Sequence, residues 1–321
     1  SFSYNKPPLI VAEISGNHNG NKKRFLKLIE TACKNGADLI KIQTYEPDDM
    51  TLNSKRAIFK INDGIWKGKY FYNLYQKACT PYSWHDSAFK IAKKYKKIIF
   101  STPFSIKGVD FLEKFNVPIY KISSFEITDY KLIDYIASKN KPIIISTGMA
   151  SFLEIKNAIK IIEKYHSKIV ILHCVSEYPT KIKDTELNKI LFLKKKFKNL
   201  KIGLSDHTND IFTSIASIPL GICLIEKHFN LDKTKTPDSL FSINPKMLKD
   251  LKKISLEIFL SLEKNKNKMV NKNIKFRRSI FASKNINKNE RISLQNTVSL
   301  RPLVGIGADK IFKIIGKKAK K

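Results

Sequence analysis

The feature that most constrains this chain is an alternation repeated eight times: a short run rich in Ile, Val and Leu, followed by a longer stretch with apolar residues at helical spacing. The apolar runs fall at 10–15, 39–44, 98–104, 119–124, 143–148, 169–175, 201–206 and 224–229. Helical patterns lie between them at 22–34, 84–94, 108–115, 130–138, 152–165, 187–196 and 210–218, and a longer one at 245–263 follows the eighth run. Runs that are apolar almost throughout predict strands buried on both faces. Strands alternating with helices predict a parallel sheet, because parallel neighbours need a crossover connection. Eight such units in about 255 residues match the count and size of a closed (β/α)8 barrel, an α/β fold. The alternative, an open doubly wound sheet, calls for a glycine-rich phosphate turn after the first strand, and that turn is not there.

The same pattern divides the chain. Residues 1–263 are assigned to the barrel. Residues 264–275, K-N-K-N-K-M-V-N-K-N-I-K, are too polar to bury and predict a linker. Residues 276–321 hold the short runs S-I-F-A-S, T-V-S-L and I-F-K-I-I between turn residues and predict a small β-rich module, too short to be more than marginal alone. The connection 45–83 is unusually long and carries Trp66, Tyr70, Phe71, Tyr72 and Tyr75; long connections in compact domains usually serve function.

Charge enters as a question about partners. Lys and Arg number 60 against 28 acidic residues, a net +32, but only six of the 60 are Arg. Base-edge readers of nucleic acid lean on Arg, so a lysine excess spread along helices and loops predicts solvated faces and a field that attracts small anions, with no specific nucleic-acid partner. No apolar run approaches the roughly 20 residues of a membrane helix. With no charged segment leading into an apolar stretch at the start, and with Cys33, Cys79, Cys174 and Cys223 lacking C-x-x-C spacing, the expectation is a cytoplasmic protein with reduced thiols.

In a barrel, chemistry sits at the C-terminal strand ends. Those ends carry Glu13 and Ser15; Lys41 and Gln43; Ser101 and Thr102; Lys121, Ser123, Ser124 and Glu126; Ser146 and Thr147; His173, Ser176, Glu177 and Tyr178; Ser205, Asp206 and His207; Glu226 and His228. Two lysines and several hydroxyls suit phosphate and carboxylate oxygens, and two histidines from successive strands suit a divalent metal. Each feature alone has an ordinary structural explanation; their convergence on every strand end favours an active site.

The segments V-A-E-I-S-G-N-H-N-G, G-A-D-L-I-K-I-Q-T-Y, S-T-P-F-S, Y-K-I-S-S-F-E, I-S-T-G-M-A, G-L-S-D-H-T and I-E-K-H-F resemble the motifs of the sialic acid synthase family, whose members condense phosphoenolpyruvate with an amino-sugar. The resemblance runs from residue 10 to about 315, and F-R-R-S-I-F-A-S-K-N-I-N-K-N-E with L-R-P-L-V-G-I-G resembles the family's antifreeze-like (SAF) domain. It implies that His207 and His228 hold a divalent metal, expected to be Mn²⁺ with Mg²⁺ or Co²⁺ as alternatives. It further implies that Lys41, Thr102, Lys121, Ser124, Ser146 and Ser205 surround phosphoenolpyruvate and that Glu13 stands near the reacting carbons. Gln43, Tyr178 and Asp238 match sugar-side positions. Arg301 matches an arginine offered to the sugar by the SAF domain of a partner subunit, which implies a domain-swapped homodimer.

Within the family, T-Y-E-P-D-D-M-T-L-N and L-Y-Q-K-A-C-T-P-Y-S-W-H are most similar to the branch that acts on 2,4-diacetamido-2,4,6-trideoxy-L-altrose. N-acetylmannosamine and the legionaminic precursor are the alternative sugars. Outside the family, the rival readings are a Schiff-base aldolase using Lys41 or Lys121 as nucleophile, and a basic nucleic-acid-binding protein.

Overall fold

The structure is a computed structural model and describes residues 2–263 and 273–320. Most of the expected linker, 264–272, lies outside the described residues. The chain divides into two compact units, Ser1–Leu262 and Glu263–Lys321.

In the first unit, β1 (Leu9–Glu13), β2 (Leu39–Thr44), β3 (Ile98–Pro103), β4 (Tyr120–Ile122), β5 (Ile143–Ser146), β6 (Ile169–Cys174), β7 (Lys201–Asp206) and β8 (Leu224–His228) form a closed barrel in chain order. Every pairing is parallel, and β1 closes the ring by pairing with β2 on one side and β8 on the other. The expected (β/α)8 architecture is what the chain adopts.

The period of two along each strand explains where the core ends and the site begins. Outward residues such as Ile10, Ile40, Tyr120, Ile143, Ile171, Ile202 and Ile225 pack against the helices. Inward residues Val11, Leu39, Phe100, Ile119, Ile144, Leu172 and Leu224 plug the lower barrel, with Phe2, Tyr4 and Leu9 packed on them. Two positions further along the same strands the inward residues become Glu13, Lys41, Thr102, Lys121, Ser146, Cys174 and Glu226. The sequence therefore switches from an apolar layer to a polar one at a single level around the ring. Inward Gly203 is required by close approach: a Cβ there would meet Leu224 O at 2.6 Å and Leu172 Cδ2 at 2.7 Å.

The helices follow amphipathic and capping rules. Lys22–Lys34 begins where Asn21 accepts a hydrogen bond from Arg24 N, and it buries Phe25, Leu28, Ile29, Ala32 and Cys33 on one stripe. Phe152–Glu163 opens with a reciprocal Ser151–Glu154 capping box. Caps also correct boundaries read from periodicity. The stretch 108–115 is a helix over Ile106–Glu113, because the Ser105 side chain caps it at Gly108 N. The first apolar run, expected to reach residue 15, ends at Glu13, where the chain turns into a 3-10 helix over Ser15–His18. The stretch 210–218 forms a shorter helix, Phe212–Ser217, before Pro219. The long connection contains two helices of its own, Pro47–Met50 and Phe71–Ala78.

In the second unit, β9 (Ser279–Ala282) and β10 (Thr297–Leu300) pair antiparallel, Ser279 opposite Leu300. The run I-F-K-I-I is not a strand: Ile311–Ile314 forms one helical turn. Short apolar runs fit either state by periodicity, so its neighbours decide it.

Candidate active site

A pocket of about 430 Å³ at the C-terminal end of the barrel joins the inward polar layer to side chains from the connections above it. That volume suits a small-molecule site. Its floor is an ionic network. Lys41 Nζ lies 3.0 Å from Glu13 Oε2 and 3.2 Å from Glu226 Oε1. Lys121 Nζ lies 3.7 Å from the same Glu226 oxygen and donates to Ser146 Oγ at 2.7 Å. Ser205 also donates to Glu226 Oε1, at 3.1 Å. Strands β2, β4 and β7 thus converge on one oxygen from β8, while Glu226 Oε2 has no hydrogen-bond partner.

Two buried ammoniums face two buried carboxylates, and their charges tune one another. Burial disfavours the Glu226 carboxylate, but Lys121 and Lys41 outweigh it and hold the group below the ordinary range. Burial likewise opposes charge on Lys41, which Glu13 and Glu226 together hold above its usual value. Lys121 has a longer contact with Glu226 and a like-charged neighbour in Lys41, so burial lowers it. Burial pushes Glu13 up to about 7, because the ammonium beside it is shared with Glu226. A network of this kind can trade an internal carboxylate contact for the oxygens of an anionic ligand.

Lys41, Gln43, Lys121, Ser124, Ser146, Tyr178, Ser205, His207, His228 and Asp238, all named from the sequence, line this pocket. Glu13 does not line it; it is fully buried behind Gln43, whose amide donates to Glu13 Oε1 and Ser15 Oγ, both at 3.1 Å. Thr102 is also outside the lining, with Oγ1 buried and without a hydrogen-bond partner. Arg301 follows β10 in the second unit and is exposed.

The two imidazoles stand at one wall, ring centroids 5.3 Å apart. His207 Nδ1–H donates to Val175 O at 2.9 Å, which leaves Nε2 as its lone-pair nitrogen. Burial, with His207 and nearby lysines, holds His228 neutral, and its Nδ1 has no partner. Among the described residues no group of three or more His, Cys, Asp and Glu is placed to hold a metal. Burial opposes charge on His207, but Cys174 and the Val175 carbonyl outweigh it and hold the group above its ordinary value. With Nδ1–H already oriented by that carbonyl, His207 Nε2 and the neutral His228 fit a divalent ion that displaces a proton from His207 and takes its remaining ligands from water and substrate.

Above the floor, Tyr178 packs on His207 with centroids 4.4 Å apart, and Phe241 on His228 at 4.8 Å. Trp66 comes from the long connection, lies 5.7 Å from the Tyr178 ring and donates Nε1–H to Pro237 O at 3.0 Å. Beside it, Asp238 Oδ2 accepts from Gly16 N at 2.9 Å, tying the loops after β8 and β1 together. Tyr45, Met50, Ile61, Phe71 and Leu74 complete an apolar wall.

Two parts of this site were not assigned from the sequence. Glu226 stands at a strand end without an assigned role from the sequence, although its place two residues before His228 gives both the same inward parity. Trp66 is one of several aromatic residues in the long connection, and no local pattern distinguishes the rings that line the pocket, such as Trp66, Phe71 and Tyr75, from the others.

The NeuB family profile matches residues 28–267. A pseudaminic acid synthase of Campylobacter jejuni is 40% identical over an alignment covering 100% of this chain and 95% of the relative. An N,N'-diacetyllegionaminic acid synthase of the same species is 37% identical, over 98% and 97% of the two chains. The crystal structure of an N-acetylneuraminic acid synthetase from Leptospira borgpetersenii, in complex with citrate, matches with a TM-score of 0.74 at 30% identity, over 82% of this chain and 88% of that one.

Proposed function

The chain belongs to the NeuB family of phosphoenolpyruvate-dependent nonulosonic acid synthases, and we propose that it condenses phosphoenolpyruvate with 2,4-diacetamido-2,4,6-trideoxy-L-altrose to give pseudaminic acid and phosphate. The observation that carries the choice of sugar is the division of the pocket into a charged floor and an apolar wall. A 6-deoxy sugar with two acetamido groups offers methyl groups to Met50, Ile61, Phe71 and Trp66. N-acetylmannosamine would instead set a terminal hydroxyl against apolar surface, where it costs free energy unless paired. The higher identity to the pseudaminic than to the legionaminic synthase supports the altrose over its stereoisomer.

In this reading Lys41 and Lys121 turn part of their charge from Glu226 to the phosphate and carboxylate of phosphoenolpyruvate, with Ser124, Ser146 and Ser205 donating to the same oxygens. Gln43, Tyr178 and Asp238 orient the open-chain sugar so that its aldehyde carbon faces phosphoenolpyruvate C3. A divalent cation held by His207 and His228, expected to be Mn²⁺, would supply Lewis acidity toward the aldehyde oxygen. As C3 bonds to that carbon, the aldehyde π pair passes to its oxygen, positive charge grows at C2, and the Glu226 carboxylate, which shares Lys41 with Glu13, stabilises it. Water adds at C2, Glu226 takes one of its protons and returns it to the former aldehyde oxygen, and the C2 hydroxyl loses its proton as the C2–O bond breaks, so that a ketone forms at C2 and phosphate leaves with the bridging oxygen and that proton. Thr102 serves behind the phosphoenolpyruvate contacts. Arg301, in the SAF domain of a partner subunit, closes over the sugar in a domain-swapped homodimer.

Separate incubations with phosphoenolpyruvate and each of the three sugars, read by mass spectrometry, test the assignment. The altrose should give a nine-carbon keto acid fastest. Faster turnover of N-acetylmannosamine or of the legionaminic precursor would overturn the choice of sugar, and no product from any would overturn the activity.

A further inference from the structure

The outward face of the barrel wall is mostly apolar against the helices, interrupted by polar residues such as Thr44 and Ser101 and by one charged pair placed behind both imidazoles. Asp206 and Lys227 are register partners across β7 and β8, and each immediately precedes a histidine, His207 or His228. Their parity is outward, in the row of Leu204 and Ile225, and Lys227 is fully buried. Lys227 Nζ lies 3.1 Å from Asp206 Oδ2 and donates to both Thr208 O and Thr208 Oγ1. Asp206 Oδ1 accepts from Thr208 N and Thr208 Oγ1, both at 2.8 Å, and its Oδ2 accepts from Ser214 Oγ at 2.6 Å.

The result is a clamp on the turn that carries His207. The peptide after His207 is held at Thr208 N by Asp206 and at His207 O by Thr180 N, 3.0 Å away, and the next peptide is held at Thr208 O by Lys227. The ammonium doing the holding belongs to the residue next to His228. Lys227 therefore spans the two histidine-bearing segments. His228 Nδ1 has no hydrogen-bond partner in the protein, so the aim of that ring depends on where its backbone is put and on its packing against His207 and Phe241. A buried ion pair is a costly way to fill space, since apolar residues of similar volume are often as stable; its best-attested use is to fix register.

We propose that the Asp206–Lys227 pair positions His207 and His228 at the separation that lets both bind one divalent cation. The inference rests on the metal-dependent reading of the site above. Asp206 and Lys227 are positioning residues, acting through the backbone of the two histidines.

The test measures Mn²⁺ dissociation constants by loss of the free-ion paramagnetic resonance signal, on the full chain without substrates. The Asp206→Asn/Lys227→Met double variant removes both charges at similar volume and leaves no unpaired one. It should keep its near-ultraviolet circular dichroism and its thermal midpoint within a few degrees, while binding Mn²⁺ about 10- to 100-fold more weakly. A purely structural pair would lower the midpoint and leave the affinity of the folded protein unchanged, and that result would overturn the proposal. If the double variant does not fold, Lys227→Arg decides by the same criterion. Its charge is retained, but its planar guanidinium cannot reproduce the contacts to Asp206 and both Thr208 oxygens, so affinity should drop several-fold; wild-type affinity would overturn the proposal. Absence of Mn²⁺ binding by the unsubstituted protein would instead overturn the metal reading, and this inference with it.

Discussion

Replacing Glu226 with Gln should separate the stability of the empty protein from its affinity for anions. Glu226 Oε1 serves Ser205 at 3.1 Å, Lys41 at 3.2 Å and Lys121 at 3.7 Å, all in a buried layer. Glu226→Gln keeps the shape but leaves two buried ammoniums with the single carboxylate of Glu13. Removing one partner of a buried pair costs about 3–5 kcal/mol. At about 2–4 °C per kcal/mol for a domain of this size, the thermal midpoint should drop by about 6–20 °C. The same uncompensated charge should make the variant a better anion receptor. Inorganic phosphate or phosphoenolpyruvate should therefore raise its midpoint more than that of the unsubstituted protein, while kcat falls because the carboxylate facing C2 is lost. Thermal unfolding by circular dichroism, with chloride matching the ionic strength, reads both effects. A shift under about 2 °C, or equal stabilisation of both proteins by phosphate, would refute the reasoning that Glu226 neutralises the two lysines.

Burial holds both His18 and His85 down to about 4, whereas an unfolded histidine titrates near 6.5. The unfolded chain therefore binds more protons between those values, so this stability is complete above about pH 6.5 and is lost as pH falls toward 4, by up to about 3 kcal/mol per histidine. Urea unfolding across that range should show the decline, His85→Gln should reduce its slope, and a flat profile would contradict it. Trp66→Ala removes a wall of the sugar pocket and the donor to Pro237 O; the KM for the sugar should rise about tenfold or more, with that for phosphoenolpyruvate changing less than about twofold, and equal effects on both would remove Trp66 from sugar recognition. A heterodimer of Arg301→Ala and His207→Ala chains should regain one working site if the arginine acts across subunits, and mixed dimers as inactive as either parent would place it elsewhere.

The barrel was legible in the sequence because its evidence is repeated eight times, so a misplaced boundary such as the end of β1 does not disturb the topology. The polar layer was legible for a related reason. Lys41, Lys121 and Ser146 each follow apolar residues in their strands, and strand parity sends them inward together. What stayed hidden depends on contacts between distant segments. That Glu13 sits behind Gln43 follows from side-chain packing between β1 and β2, which spacing does not encode. Trp66 reaches the pocket through a carbonyl 171 residues away. The run at Ile311–Ile314 was misread because a short apolar stretch satisfies a helical turn and a strand equally.

The most direct measurement follows one oxygen atom. Phosphoenolpyruvate labelled with ¹⁸O at the bridging position is incubated with the protein, Mn²⁺ and the diacetamido-trideoxy-altrose, and phosphate and keto acid are weighed by mass spectrometry. Condensation through C3 followed by C2–O cleavage puts the label in the phosphate and leaves the keto acid with an unlabelled oxygen from water at C2. Label retained in the organic product, or no phosphate released with any of the three sugars, would contradict it.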